Sequence, residues 1–526
     1  MTANIGPLNK EKYRQLRQAD KQLSWKVDRQ GENRYVVTTP NKAVLQFHAP
    51  INWAHTPSDQ YQSTLLWLYS LVPLRIIADE YEDFAYVNRE VRAFHRYITS
   101  DDGVDRLNTL TSRDHLTAEY MRTLTYLLTD DRFEARHEAE ALLQAAASWA
   151  LEPGSIAANN HGMMLALSVL HSTPFIPDSS VDQDEAATKQ LIAILRSAFD
   201  ETGLCVENSP AYHHFYIRYM RSIAEEAKIL GGAIQDHESE ITDLILKAEN
   251  TLNSVALPNG ALPPFGDGNL WPDASPVPPD GEHYSEPSGV YVRREGQMYL
   301  AFKCGMSSIT HKHVDDNSLY LWANGEPVLL DGGLYNYDWK NRFTLCVKSQ
   351  RGHSSPQFQR YSETYPATLY RPGAVRVKAS ITKSHEDEFI ILSGTSTIDD
   401  MYNTQRTVKL APGLFLEPIS IIDEFSSPDS ERKYVRYLVP GHYSISIHEN
   451  KVLGRSERNI LTLEFSNGRV STLRANDTGE RADAWVATGF GEATPAWAID
   501  VELDMVQDTL VTHLTIEPCI NTTPAL

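Results

Sequence analysis

The hydrophobic period of this 526-residue chain changes once, near residue 260, and that change limits the possible folds more than any other feature. From about residue 60 to 255 the apolar residues recur at helical spacing. EYMRTLTYLLTDDRF places Tyr120, Leu124, Leu127 and Leu128 on one face, and the Ala-rich EAEALLQAAASWAL runs into the stop signal Glu152-Pro153-Gly154. DEAATKQLIAILRSAFDETG aligns Ala187, Leu191, Ile194, Leu195 and Ala198, and predicts a left-handed cap at Gly203. YIRYMRSIAEEAKILGG and SEITDLILKAENTLNSVAL repeat the pattern. Successive amphipathic helices joined by short loops must pack on one another as hairpins. No fixed-period repeat is present, which argues against a regular solenoid.

Residues 257–287 carry eight prolines and predict a domain boundary. Beyond them the pattern alternates, as in SGVYVRREGQMYLAFKCG and SLYLWANGEPVLLDGG. Asn324-Gly325 predicts a two-residue hairpin turn, and Ser466-Asn467-Gly468 between LTLEF and RVSTL predicts another. Residues 288–526 thus read as an all-β sandwich without a long helix. Residues 1–55 are a mixed extension in which RYVVTTP and AVLQFHAP form a small hairpin. The expected class is α+β and multidomain, with a helical domain over 56–256, a connection over 257–287 and a β-sandwich over 288–526.

The net charge is −21, and no Lys/Arg-rich tract exists to grip nucleic acid phosphates. The four cysteines lie far apart and read as reduced thiols rather than a disulfide framework. The first 22 residues have no apolar segment of the secretory type, so a cytoplasmic location is expected. LLWLYSLVPLRII, at 65–77, is short and broken by Pro73 and Arg75, which predicts a buried helix and no membrane partner.

Three clusters carry chemistry. Asn159-Asn160-His161-Gly162 opens a helix, where side-chain donors join unpaired backbone N–H groups and the positive dipole end. That environment suits a carboxylate, although an Asn there also serves as an ordinary cap. Glu207-Asn208-Ser209-Pro210-Ala211-Tyr212-His213-His214 marks a loop-to-helix junction from which the Tyr212 phenol projects. Finally, His311-Lys312-His313-Val314-Asp315-Asp316-Asn317-Ser318 is expected to open a strand, with both imidazoles on one face. Asp331 lies across the Asn324-Gly325 turn and approaches His313, and His353 supplies a third ligand. Two imidazoles and one carboxylate suit Zn²⁺ better than Ca²⁺, which prefers more oxygens.

The set and its order resemble the heparinase II/III-like polysaccharide lyases, a group that includes similar alginate and oligoalginate lyases. The resemblance rests on Asn-Asn-His-Gly, Glu-Asn-Ser-Pro-Ala-Tyr-His, Leu-Pro-Pro-Phe-Gly-Asp at 262–267, His-Lys-His-Val-Asp-Asp-Asn-Ser, and Asp-Gly-Gly-Leu-Tyr. It covers about residues 60 to 360 through these motifs. It implies an incomplete (α/α) toroid followed by an antiparallel β-sandwich, and cleavage of a uronic-acid glycan by β-elimination. Tyr212 and His311 would be catalytic, with Asn160 and His161 neutralising the substrate carboxylate. Asn159, His213, Lys312, Tyr335 and Arg342 would help to bind the sugar. His313, Asp331 and His353 would hold one structural divalent ion. The partner would be an acidic polysaccharide or oligosaccharide, and a homodimer is compatible. One departure is that Gly-Met-Met follows His161, without the acidic residue some relatives carry, so substrate type does not transfer.

Elimination removes the C5 proton of a uronate while the C4–O4 bond breaks. Donors on the carboxylate stabilise the enolate-like transition state, each worth about 3–4 kcal/mol in other enzymes. A phenol with a pKa of about 10 needs help to act as base near neutrality. If the C5 hydrogen and O4 share a face, Tyr212 serves both; if not, His311 or His161 is the base. Lys312, Arg342, Lys348 and Arg351 are candidates for local positive potential on an acidic protein. A glycoside hydrolase would instead need two carboxylates at the bond, and Glu207, Asp267 and Asp315 show no evident pairing in sequence. A non-catalytic glycan-binding or polymer-assembly protein is the third reading.

Overall fold

The computed structural model describes residues 25–39, 44–54, 62–110, 112–176, 181–269 and 278–519. Most of the N-terminal extension and residues 270–277 of the Pro/Gly-rich connection lie outside the described residues. The chain divides into two compact units, Met1–Ala198 with Arg218–Ile245, and Phe199–Ile217 with Leu246–Leu526.

The first unit opens with an antiparallel sheet of Lys26–Gly31, Arg34–Thr38 and Val44–His48. The last two are the expected hairpin. The first strand is weakly marked because only Val27 of its six residues is buried. Eight helices follow among the described residues, from Gln62–Tyr69 through Val181–Ser197. The apolar run at 65–77 is two helices, broken at Leu71 with φ +59°, and Pro73 sits in the first turn of the second. No helix among the described residues is long and apolar enough to cross a membrane. The helices Arg113–Leu127 and Asn160–Ser172 pack together, and Ser168 Oγ donates to the Ala118 carbonyl at 3.2 Å. Nearly every residue of Asn160–Ser172 is buried, so this helix is held rigidly by its neighbours.

Gly203 does not cap the preceding helix, which stops at Ser197. Instead Phe199 bridges Cys205 around a turn in which Asp200 accepts from the Thr202 and Leu204 amides. The carboxylate of Asp200 closes that turn, so the glycine belongs to the turn rather than to a helix end.

In the second unit, Gly281–Ser285, Val290–Glu295, Met298–Lys303, Ser318–Ala323 and Glu326–Leu329 form a five-stranded antiparallel meander. Asn324 and Gly325 have φ +51° and +87°, as the expected two-residue turn requires. An eight-stranded sheet, a second five-stranded antiparallel sheet and two short two-stranded ones make up the rest of the β region among the described residues. One core joins the three larger sheets, drawing Leu321 from the meander, Leu392, Ile421, Leu463 and Leu514 from the eight-stranded sheet, and Val435, Tyr437 and Ile499 from the second five-stranded one. Each such buried side chain contributes about 1.5–3 kcal/mol relative to exposure. Among the described residues from 278 onward the helices are short, the longest being Arg342–Lys348.

The second expected hairpin is a corner. Asn459–Phe465 pairs within the eight-stranded sheet, whereas Arg469–Arg474 pairs with Glu492–Glu502 in the other. Ser466 holds the crossing through both N–H to the Val511 carbonyl at 2.9 Å and Oγ from the Val511 N–H at 3.0 Å. Two alternating runs around a turn signal do not reveal which sheet each strand joins.

Candidate active site

Three loops of the second unit are stitched together around Asp267. Asn208, at φ +61°, donates through Nδ2 to the carbonyls of Ser308 at 2.7 Å and Thr310 at 2.8 Å. Gly266, at φ +54°, lies where a Cβ would meet the Asn208 carbonyl at 2.6 Å and that of His311 at 2.7 Å. Only glycine fits between those carbonyls, and it delivers the next residue, Asp267, to the centre.

The His311-x-His313 segment is not extended. The strand begins only at Ser318, and His311 has φ +56°. The left-handed turn lets both rings reach one carboxylate: His311 Nδ1 meets Asp267 Oδ2 at 2.8 Å, and His313 Nε2 meets Oδ1 at 3.0 Å. Lys348 pairs with the same Oδ1. The other edge of His311 faces Glu207, with Nε2 to Oε2 at 3.4 Å, while Glu207 Oε1 accepts from Tyr216 at 2.7 Å. Burial disfavours charge on His311, but Asp267 and Glu207 outweigh it and raise the pKa above the ordinary histidine value. Burial likewise works against the charge of Asp267, yet Lys348, His311 and His313 hold its carboxyl well below the usual range.

Tyr212 lies in the first turn of the helix Pro210–Leu230, and its ring stacks on His311 with centroids 3.5 Å apart and planes 18° apart. Its hydroxyl is 2.7 Å from that of Tyr337. Burial, together with the negative charge of Asp267, pushes the Tyr212 phenol above its ordinary value, so it is protonated at neutrality.

Beside this group His313, Asp331 and His353 converge, each offering a ligand atom within 4.8 Å of the others. His353 Nδ1 meets Asp331 Oδ2 at 3.1 Å. His313 Nδ1, His353 Nε2 and Asp331 Oδ1 are buried and have no hydrogen-bond partner. Buried polar atoms are rarely left so. Burial holds the pKa of His313 down at about 4, so its ring is neutral, as a metal ligand must be. The donor set therefore fits a divalent cation of the zinc type.

Several expected sugar contacts are used otherwise. Lys312 is buried, with its ammonium on Asp315 and Asp316, because a buried cation must be paired. His213 is fully buried, donating to the Ala248 carbonyl at 2.8 Å and accepting from the Cys205 N–H at 3.3 Å; burial holds it neutral, at about 3. Arg342 makes a bidentate pair with Asp477 at 2.7 and 2.8 Å. Tyr335 is half-buried against Phe343, ring centroids 5.1 Å apart. Arg351 is buried between Asp483 and Glu363.

Asn159, Asn160 and His161 belong to the first unit. Asn159 caps the helix Asn160–Ser172, accepting from the Gly162 N–H at 3.0 Å. Asn160 is buried, and the His161 ring lies tilted against that of His115, centroids 4.6 Å apart, with Nδ1 3.5 Å from Asp114.

Sequence reasoning missed Tyr337, which follows Tyr335 by two, and the pairing of Glu207 and Asp267 through one imidazole. It also missed Asp114 and His115, although Asp-His at a helix start is a visible signal.

Residues 278–513 match the family described as Heparinase II/III-like, C-terminal. No curated protein matches the sequence. Among solved structures, one titled Heparinase III has a TM-score of 0.67 at 14% identity, covering 89% of this chain and 79% of that one. The Heparinase III-BT4657 gene product gives 0.62 at 14%, covering 90% and 81%. The heparan sulfate lyase HepC from Pedobacter heparinus gives 0.56 at 14%, covering 98% and 84%. The shared fold is a helical N-terminal region followed by antiparallel β-sheets, the toroid-plus-sandwich class expected from the sequence. Residues 278–513 thus match the heparinase II/III-like C-terminal domain, and the fold is one shared with solved structures titled Heparinase III and heparan sulfate lyase HepC.

Proposed function

We propose that the protein cleaves a uronic-acid-containing glycan by β-elimination, leaving a 4,5-unsaturated uronate end. The observation that carries this reading is the Tyr212 phenol stacked at 3.5 Å on a histidine held between Glu207 and Asp267. Similar solved structures are titled Heparinase III and heparan sulfate lyase HepC, so a sulfated glycosaminoglycan is the first substrate class to test.

The C5–H pair becomes the C4=C5 double bond, and the C4–O4 pair leaves on oxygen, which takes a proton. Tyr212 is neutral at rest and is the proton donor to O4. The C5 proton goes to a separate base, or to Tyr212 itself after ionisation; both routes require its oxygen. His311, with both nitrogens turned to carboxylates, is a fixed positive group against the phenol face rather than a free base. Asn160 and His161 are proposed to bind the anionic group, and an ion on His313, Asp331 and His353 would supply a fixed positive charge cross-linking their loops. A hydrolase is disfavoured because Glu207 and Asp267 are both turned on His311 rather than on a vacant position.

The test is digestion of a panel of uronic-acid polymers and their oligomers. Elimination raises ultraviolet absorbance from the conjugated double bond. New reducing ends without that rise would identify a hydrolase, and neither would identify a binder. Tyr212→Phe should abolish the rise while leaving the fold and oligosaccharide binding intact.

A further inference from the structure

The Tyr212 oxygen has one close partner with a proton of its own. Tyr337 lies on the loop after Asp331-Gly332-Gly333, the residue is 47% exposed, and its hydroxyl stands 2.7 Å from that of Tyr212. Lys348, which pairs with Asp267, places its ammonium 5.0 Å from the centre of the Tyr337 ring. Phe490 packs on another side, 6.2 Å between centroids. Tyr337 is therefore held in place, yet open enough to exchange protons with water.

We propose that Tyr337 is the proton partner of Tyr212: its hydroxyl donates to the Tyr212 oxygen whenever that oxygen is charged, and returns a proton from solvent to it. This rests on the elimination reading. When Tyr212 gives its proton to O4, the phenolate oxygen accepts the Tyr337 proton and water re-supplies Tyr337. When Tyr212 first ionises to take the C5 proton, the same hydroxyl donates to the phenolate before transfer. Either way no electrons beyond the C5–H and C4–O4 pairs are moved, and the net proton count is zero.

The charged groups facing the pair are Glu207, Asp267, His311 and Lys348. Burial raises Tyr337 and Tyr212 alike, and the carboxylates raise both further. Their mutual hydrogen bond acts in opposite directions, favouring ionisation of Tyr212 and opposing that of Tyr337. At 2.7 Å either hydroxyl can donate, but a charged Tyr212 oxygen can only accept, so Tyr337 is then the donor and the source of the transferred proton.

The variant is Tyr337→Phe, which keeps the ring on Lys348 and Phe490. On a cleaved polymer, kcat should fall about 10- to 100-fold with KM within about twofold. The limb of the pH–rate profile that belongs to Tyr212 should move to higher pH, because a phenolate without its donor forms less readily. A structural role alone would not move it. A second measurement needs no turnover: fluorotyrosine placed at position 212 and titrated by fluorine NMR should ionise at higher pH in the Tyr337→Phe protein. An unchanged fluorine titration would overturn the proposal whether or not any polymer is cleaved. Active wild type with an unshifted profile in the variant would overturn it while leaving the lyase reading standing. Failure of the wild type to raise absorbance would instead remove that reading, with the titration still deciding on Tyr337.

Discussion

Asp267 and His311 meet through Oδ2 and Nδ1 at 2.8 Å, and the same carboxylate turns its other oxygen to His313 and Lys348. One acid thus joins His311 to the candidate metal cluster. Asp267→Asn keeps the shape but removes the charge, leaving Lys348 buried without its counter-ion and His311 with Glu207 alone. Breaking such a buried pair costs about 3–5 kcal/mol. The elimination rate should fall about 100-fold or more, in the range for lost acid–base assistance, with KM changed far less. Initial rates by absorbance and urea denaturation check both; a variant with normal rates would remove Asp267 from the site.

Gly162 follows Asn159-Asn160-His161 into the helix, and a Cβ there would lie 1.7 Å from the Ala157 carbonyl oxygen. That atom is backbone and has no rotamer to escape through. Gly162→Ala should therefore displace the turn that presents Asn160 and His161, at a cost of about 1–3 kcal/mol. Thermal denaturation should show the loss. If Asn160 and His161 bind the substrate anion, KM for the cleaved polymer should rise as well.

Asp483 accepts from Arg351 at 2.8 Å and Arg436 at 2.7 Å, and its own side chain is almost fully buried. Burial opposes its charge, but the two guanidiniums outweigh that and hold its pKa below the usual carboxylate value. A carboxyl depressed on folding adds stability above its unfolded pKa of about 3.9, and the gain is lost as pH falls through the lower folded value. Asp483→Asn should thus cost about 3–5 kcal/mol at pH 7 and flatten the acid side of the stability profile below about pH 4. Urea midpoints at neutral and acidic pH decide it: an equally steep acid limb in the variant would assign that limb to other carboxylates.

The legible part of this molecule was the part carried by periodicity and short-range order. The shift from period 3.6 to period 2 separated helices from strands, and Asn324-Gly325 marked its turn because both residues tolerate positive φ. Tyr212 and His311 could be named from motifs, but their stacking depends on Gly266 and Asn208 closing loops about 100 residues apart, which no local pattern encodes. The same limit explains Glu207 and Asp267, which look unrelated until one imidazole stands between them. Lys312 and His213 were misread because adjacency to a motif says nothing about the direction of a side chain. Both turn inward to satisfy buried partners.

His313, Asp331 and His353 approach one another, and each keeps one buried polar atom without a hydrogen bond. Leaving three such atoms unpaired would cost about 1–3 kcal/mol apiece, which a shared divalent ion removes. Purified protein should hold about one ion per chain by elemental analysis, and a strong chelator should lower the thermal midpoint. Removing one ligand should act in the same direction: His313→Ala should lose metal and thermal stability, and lose oligosaccharide binding to a smaller degree. His353→Ala separates the metal from His311, since its ring does not touch the Asp267 carboxylate as that of His313 does. If the ion only braces the loops, His353→Ala should lower the melting midpoint and recover part of it with added Zn²⁺ through the two remaining ligands. Metal-free protein whose midpoint ignores both Zn²⁺ and chelator would show that the three side chains are satisfied in some other way.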